Sequence, residues 1–296
     1  MGFALATRLL DAGYDVSAFN RTRAKAEPLA DKGATIVDRP VDLADRDVVF
    51  IMVSAPKDLE DVTVGVDGLL TADGVAPRIV LDSSTVSSEA SEKIRALANE
   101  RGTEFLATPV SGNPKVIGAG KLTLAASGPR EVFDEVEPIL NELGKGVTYV
   151  GDGEVARLVK ICHNVFLGVV AQSLAEITVL AERGGVSRAA FLAFLNDSVM
   201  GSVFTQYKTP ALVNLDFTPT FTMPLLRKDF DLGLDAAHKL EVPMPIAAAT
   251  AQIVSSAIGA GFRTEDFATL ILEQARRAGV TLEPENVKVS DGLEPR

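Results

Sequence analysis

The chain has 296 residues, 47% of them hydrophobic, enough for one large core or two ordinary ones, and the length favours two domains. Its formal net charge is -11 with acidic and basic residues interspersed, so it lacks the basic patch by which nucleic-acid binders neutralise phosphates. Cys162 is the one cysteine, which excludes an intramolecular disulfide and a multi-cysteine zinc site, and His163 and His238 lack metal-ligand spacing.

Residues 3 to 12 place Phe3, Ala4, Ala6, Leu9 and Leu10 on one helical face, with Gly13 where a C-cap belongs. YDVSAFN then reads as a short strand, RAKAEPLADKG as a helix ending at Gly33, and ATIV as a second strand. DLADRDVVFIMVS reads as a short helix and a buried strand, PRIVLDSST as a strand, and SSEASEKIRALANERG as a helix. TEFLATPVSG is strand and loop, GKLTLAASG a strand, PREVFDEVEPILNELG a helix, and KGVTYVG a strand. This alternation predicts a parallel, doubly wound α/β domain of the Rossmann type over residues 1–150.

After Gly153 the strand signals stop. One long apolar helix runs from about Glu154 to Gly184, and SRAAFLAFLNDS, MPLLRKDFDLGLDAAHKL, PIAAATAQIVSSAIGAG and TEDFATLILEQARRAG are helical. They predict an all-α domain over residues 151–284, followed by a loose polar tail, 285–296. No apolar run reads as near the ~20 residues that span a bilayer. The first residues have neither the basic start nor the small-residue cleavage site of a signal peptide, so the expected location is the cytoplasm.

A dinucleotide-binding domain of this type begins with a strand and a G-x-G-x-x-G turn, whose third glycine lies on the first helix. Gly2 occupies the place of that third glycine, without the first strand or the first two glycines. That strand is central to the sheet, and omitting it leaves interior strands with unpaired backbone groups, each costing roughly 1–3 kcal/mol. The pattern predicts a natural start roughly a dozen residues upstream, with Met1 an internal methionine. The alternative is an ordinary helix-start glycine.

Four further stretches carry chemistry. Asn20, Arg21 and Thr22 follow the first recognisable strand, where an acidic residue would bind the ribose 2′-hydroxyl of NAD; Arg21 instead offers a planar fork for a 2′-phosphate, which favours NADP. Pro109 to Asn113 form a tight loop after a strand, whose N–H groups and Ser111 hydroxyl suit a carboxylate, or which is a plain turn. Lys160 and Asn164 are i,i+4 on one face of the long helix, where a lysine either works or snorkels at an edge; Cys162 reads as a small core residue and His163 as structural or exposed. Lys228 and Asp229 read as opening a helix, where they either serve a bound anion or form a surface ion pair.

Taken in order, MGFALATRLLDAGYDVSAFNRT, DSST, PVSG, GKLTLAASG, GDGEVARLVKICHN, AEITVLAERGGV, KDFDLGLDAAHKLEVPMP and TEDFATL resemble the β-hydroxyacid dehydrogenase family, which includes 3-hydroxyisobutyrate dehydrogenases and tartronate, glyoxylate and succinic semialdehyde reductases. The resemblance implies an NADP-dependent enzyme (NAD being possible) that moves a hydride between the cofactor and a small β-hydroxyacid or its semialdehyde. It implies Lys160 as the catalytic lysine with Asn164 as its hydrogen-bonding partner, and Ser111, Gly112 and Asn113 at the substrate carboxylate. It implies cofactor contacts from Gly2, Asn20, Arg21, Thr22, Met52, Val53, Thr85 and Lys228, no metal, and a homodimer or homotetramer without nucleic-acid or membrane partners. Two departures stand out: Ala107 where many members have an acidic residue, and Asn113 in place of a second glycine, which leans towards the small-aldehyde reductases. The alternatives are an imine reductase, against which Lys160 counts, and a non-catalytic dinucleotide-binding or chromatin-associated module, against which the retained lysine and the acidic charge count.

Overall fold

Helix α1, Gly2–Asp11, begins the chain in this computed structural model, which describes residues 1–293. Its buried stripe is Leu5 and Leu9, one helical turn apart; Phe3, expected on that face, is exposed. The chain separates into two units, Met1–Lys160 and a second beginning at Ile161.

In the first unit two short strands, β1 (Ser17–Ala18) and β2 (Thr35–Ile36), pair in parallel only with each other. The stretch between them, expected to be one helix, forms two 3-10 segments, Arg23–Lys25 and Glu27–Lys32, because from Arg23 to Lys32 only Ala26 and Leu29 are buried. That apolar face is too small to stabilise a full helix. A separate sheet holds β3 (Val48–Ile51), β4 (Ile79–Asp82) and β5 (Glu104–Ala107) in parallel register, with Ile51, Asp82 and Ala107 level at their carboxyl ends.

The sheet is mixed, which corrects the all-parallel expectation. Strand β7 (Thr123–Ser127) runs antiparallel to β5 and to the short β6 (Val110–Ser111), and parallel to β8 (Gly146–Gly151). Alternation along β4 places Ile79 and Leu81 in one core with Leu5, Leu9, Phe133 and Leu140, and Val80 in another with Leu59, Ile94 and Phe105. The sheet is thus covered on both faces, by α1 and α5 (Arg130–Glu142) on one and by α2 (Pro56–Thr63) and α3 (Ser88–Glu100) on the other.

Helix α6, Val155–Arg183, starts in the first unit and from Ile161 belongs to the second. It is long and apolar enough to cross a membrane by length and composition, a property the sequence reading missed because His163, Asn164 and Glu176 interrupt the run; half of its most apolar stretch is buried in the protein. Helices α7 (Arg188–Asp197), α8 (Val203–Asn214), α9 (Met223–Lys239), α10 (Pro245–Gly259) and α11 (Leu270–Arg277) complete the unit. They share one core containing Val165, Leu174, Leu226, Phe230, Val254 and Ile271. The polar segment expected to be loose is docked: the Glu285 carboxylate accepts from the backbone N–H of Arg188 (2.6 Å) and Ala189 (3.1 Å), and Asn214 holds Val287 through both its backbone groups. The last three residues of that segment lie outside the described residues.

Candidate active site

The strands β3, β4 and β5 end level, so the residues that follow them meet at one edge of the sheet. Hydrogen bonds fasten these loops together. The Asp82 carboxylate accepts from the Ser84 N–H (2.9 Å), the Ser84 hydroxyl accepts from the Val53 N–H (3.0 Å), and the Ser83 and Thr108 hydroxyls bond to each other (3.0 Å). Met52, Val53 and Thr85 are therefore fixed at the carboxyl edge, where ligands bind in sheets of this type. Gly2 joins them: its Cα lies beside Met52, and an added Cβ would sit 3.8 Å from the Met52 Cβ. That is ordinary contact, so packing does not require glycine there.

After β6 the chain turns at Gly112, whose φ of +146° disfavours any side chain and whose Cβ would lie 2.9 Å from Val116 Cγ1. Asn113 follows and caps the short helix α4 (Pro114–Gly118), its Oδ1 accepting from the Val116 N–H at 3.0 Å. Its Nδ2 is buried and has no hydrogen-bond partner among the described residues. A buried donor left unpaired costs about 1–3 kcal/mol. The half-buried Ser111 and this amide thus stand two residues apart at the carboxyl edge.

Asn20 to Thr22 form a turn after β1. Asn20 Oδ1 accepts from the Thr22 N–H (2.9 Å), which occupies that oxygen with the turn itself. Arg21 projects into solvent, 87% exposed, and its guanidinium pairs with Asp58 in the first turn of α2 at 3.1 Å. This contact ties the turn to the segment that follows Val53.

Lys160 is half-buried on α6, in the last position of the first unit. One turn earlier Arg157, which the sequence reading passed over, is buried against Asp82 at 2.6 Å. The available signal was a cation inside an apolar helix and an acid ending a wholly buried strand.

In the second unit, Asn164 is buried and donates from Nδ2 to Asp229 at 2.5 Å, while its Oδ1 bonds to His163 Nδ1 at 3.0 Å. Asp229 is buried too and also pairs with Lys228 Nζ at 3.3 Å. These two residues do not open a helix, as expected, but lie in the second turn of α9; Thr222 and Met223 start it. Gly233, one turn beyond Asp229, permits the approach of α6: a Cβ there would fall 2.3 Å from Val165 Cγ2. Cys162 is exposed, not a core residue, because Ile161 and Val165 take the buried positions of this face.

A family model described as the NAD binding domain of 6-phosphogluconate dehydrogenase matches residues 1–151. A second, described as the NAD-binding of NADP-dependent 3-hydroxyisobutyrate dehydrogenase, matches residues 151–273. Fold and matches together define a nicotinamide-dinucleotide-dependent oxidoreductase. The chain is 33% identical over 275 residues to the uncharacterized oxidoreductase YfjR of Bacillus subtilis (strain 168), covering 92% of this chain and 95% of that protein. It is 30% identical over 284 residues to 2-(hydroxymethyl)glutarate dehydrogenase of Eubacterium barkeri, covering 95% and 94%. Among solved structures, 3-hydroxyisobutyrate dehydrogenase (ygbJ) from Salmonella typhimurium matches with a TM-score of 0.82 at 26% identity, over 92% of this chain and 95% of that one. The chain belongs to the β-hydroxyacid dehydrogenase family.

The residues present suit a nicotinamide dinucleotide. The carboxyl edge carries the half-buried Thr85 and the Met52–Val53 backbone, and the turn after β1 carries an exposed arginine and no acid. Gly2, Met52, Val53 and Thr85 would line its path, with Asn20, Arg21 and Thr22 at the adenosine end.

Proposed function

We propose that the protein catalyses NADP-linked, reversible hydride transfer between a small β-hydroxyacid and its semialdehyde. The observation that carries this reading is the Asn113 Nδ2, buried and without a hydrogen-bond partner among the described residues, two positions after Ser111: a substrate carboxylate would satisfy that donor. The activities of two relatives, 2-(hydroxymethyl)glutarate dehydrogenase and 3-hydroxyisobutyrate dehydrogenase, support the same substrate class. When bound, the nicotinamide supplies or accepts the hydride. Lys160 as ammonium gives its proton to the new alkoxide oxygen in reduction, and as amine takes it in oxidation. Gly112 lets the loop bring its backbone N–H groups to the carboxylate. Arg21 holds the 2′-phosphate of NADP.

The proposal includes a homodimer. Phe166 and Leu180 on α6, 69% and 73% exposed, and Phe194 on α7 give the second unit apolar surface for a second copy.

The test is a panel of semialdehydes, with and without a β-carboxylate, assayed with NADPH and NADH. The reading expects NADPH oxidation with the carboxylated aldehydes and loss of rate with their uncharged analogues. Equal rates for both sets would remove the Ser111–Asn113 loop from substrate recognition.

A further inference from the structure

Arg157 is among the largest side chains fully buried in the protein, yet no step of the proposed reaction uses it. Its guanidinium is almost completely satisfied. Nη2 donates to Asp82 Oδ2 (2.6 Å) and to Ser91 Oγ (3.0 Å), Nε donates to Ser91 Oγ (3.2 Å), and Nη1 donates to the Ser84 carbonyl (2.5 Å). Glu154 Oε2 lies 3.5 Å from Nε. A buried ion pair is weak evidence for stability, because apolar residues of similar volume usually hold a fold as well. Its use here must be sought in what it positions.

Two things converge on this side chain. The first is the loop that carries Thr85. Ser84 has its N–H on Asp82 Oδ1, its hydroxyl under the Val53 N–H and its carbonyl on Arg157, so the residue before Thr85 cannot rotate. The second is the first turn of α6. Ser127 Oγ accepts from the Ala156 N–H (3.1 Å) and donates to the Gly153 carbonyl (2.8 Å), while Arg95 holds the Glu154 carboxylate (2.7 Å). Lys160 lies three residues after Arg157 on this helix, the neighbouring position on its surface. One rigid fork therefore references both the Thr85 loop and the turn that carries Lys160. All of these residues lie in the first unit.

We propose that Arg157 is a positioning residue, fixing the Lys160 amine relative to the Thr85 loop through Asp82 and Ser84. The proposal rests on the reading of Lys160 as acid/base. Lysine at 157 keeps the charge but has no planar fork, so it cannot hold Asp82, Ser91 and the Ser84 carbonyl in the fixed arrangement that arginine does. A displacement of about 1 Å at the reacting groups is enough for a loss on the order of 10²-fold.

The test is a double-mutant cycle on the full chain with Arg157→Lys, Lys160→Ala and the double variant, reading kcat and the KM for NADPH and for the aldehyde. Acting through Lys160, Arg157→Lys lowers kcat by about 10–100-fold, leaves the NADPH KM within a few-fold, and adds almost nothing in the Lys160→Ala background. Losses that multiply, or a kcat unchanged in Arg157→Lys, overturn the proposal. In the cofactor-free protein, reductive methylation of Lys160 followed by peptide mass spectrometry should speed up severalfold in Arg157→Lys, and an unchanged rate overturns it. The apolar pair variant Asp82→Leu with Arg157→Met checks the structural alternative: it should keep the melting temperature and still lose kcat, and full kcat in that variant overturns the proposal. If Lys160→Ala alone keeps full rate, the acid/base reading fails, and the methylation rate alone then decides whether Arg157 fixes Lys160.

Discussion

Asn164 on α6 and Asp229 on α9 are 65 residues apart in the chain and bonded at 2.5 Å in the buried core of the second unit. Asn164 has no second orientation open to it, because its Oδ1 is held by His163 while its Nδ2 is held by the carboxylate. The asparagine is thus a fixed donor, and the aspartate a buried charge that depends on it and on Lys228.

Removing that donor leaves the carboxylate under-satisfied. Asn164→Ala should destabilise the second unit by about 1–3 kcal/mol, and Asn164→Asp by more, since two buried carboxylates would then face each other. Urea denaturation of the full chain measures both. An Asn164→Asp variant as stable as Asn164→Ala would show that repulsion between the two carboxyls does not set the cost.

Lys160→Ala should cut kcat by a factor on the order of 10²–10⁴ while leaving the dissociation constant for NADPH nearly unchanged, because the amine acts on the reacting oxygen and not on the cofactor. Stopped-flow turnover with fluorescence titration of NADPH separates the two quantities. Equal kcat in wild type and variant removes the lysine from the chemistry.

The elements with strong periodicity were legible in the sequence: α1, α3, α5, α6 and the strands β3, β4, β5, β7 and β8 fall where the patterns place them, whereas β6, two residues long, lies in what reads as a loop. Strand direction was not, because alternation says which residues are buried and nothing about which way a neighbour runs; hence the antiparallel β7. Helix α8 was hidden by Pro210, which normally ends a helix but here follows Thr209, whose hydroxyl bonds back to the Thr205 carbonyl. The site divides in the same way. Lys160, Asn164 and Ser111 stand in local motifs, whereas Arg157 and Asp82 are separated by 75 residues and become a pair only when α6 packs against β4. Asp229 was visible as an acid beside Lys228, but its burial depends on Gly233, whose meaning appears only once α6 is opposite.

The exposed Arg21 is shared between solvent and Asp58. Arg21→Asp should lower the ratio of kcat/KM for NADPH over NADH by roughly 10–100-fold, the worth of a charge-assisted hydrogen bond or two. Asp58→Asn should move the ratio the other way, by a few-fold, since it frees the fork for a phosphate. Initial rates with both cofactors decide it, and a ratio near one in the wild type assigns Arg21 to the surface alone.

Glu273 on α11 is fully buried and receives hydrogen bonds from Arg276, Ser256 and Arg277. The Arg276 hydrogen bonds, foremost, pull its carboxyl down from the ordinary 4.5 to about 2; burial opposes this, and Ser256 and Arg277 add to it. A carboxylate with a depressed pKa binds its proton more readily in the unfolded chain, so stability rises with pH across the interval between the two values. Its contribution is complete above pH 4.5 and is lost as pH falls through about 2. Glu273→Gln should therefore cost about 1–3 kcal/mol at neutral pH, and the gap to wild type should narrow steadily on acidification below pH 4.5. Urea midpoints of both proteins at stepped pH measure the gap. A gap that stays constant from about pH 6 down to about pH 3, well inside the interval over which the carboxyl should take up its proton, would mean that the neutral acid serves Arg276 and Ser256 as well as the carboxylate does.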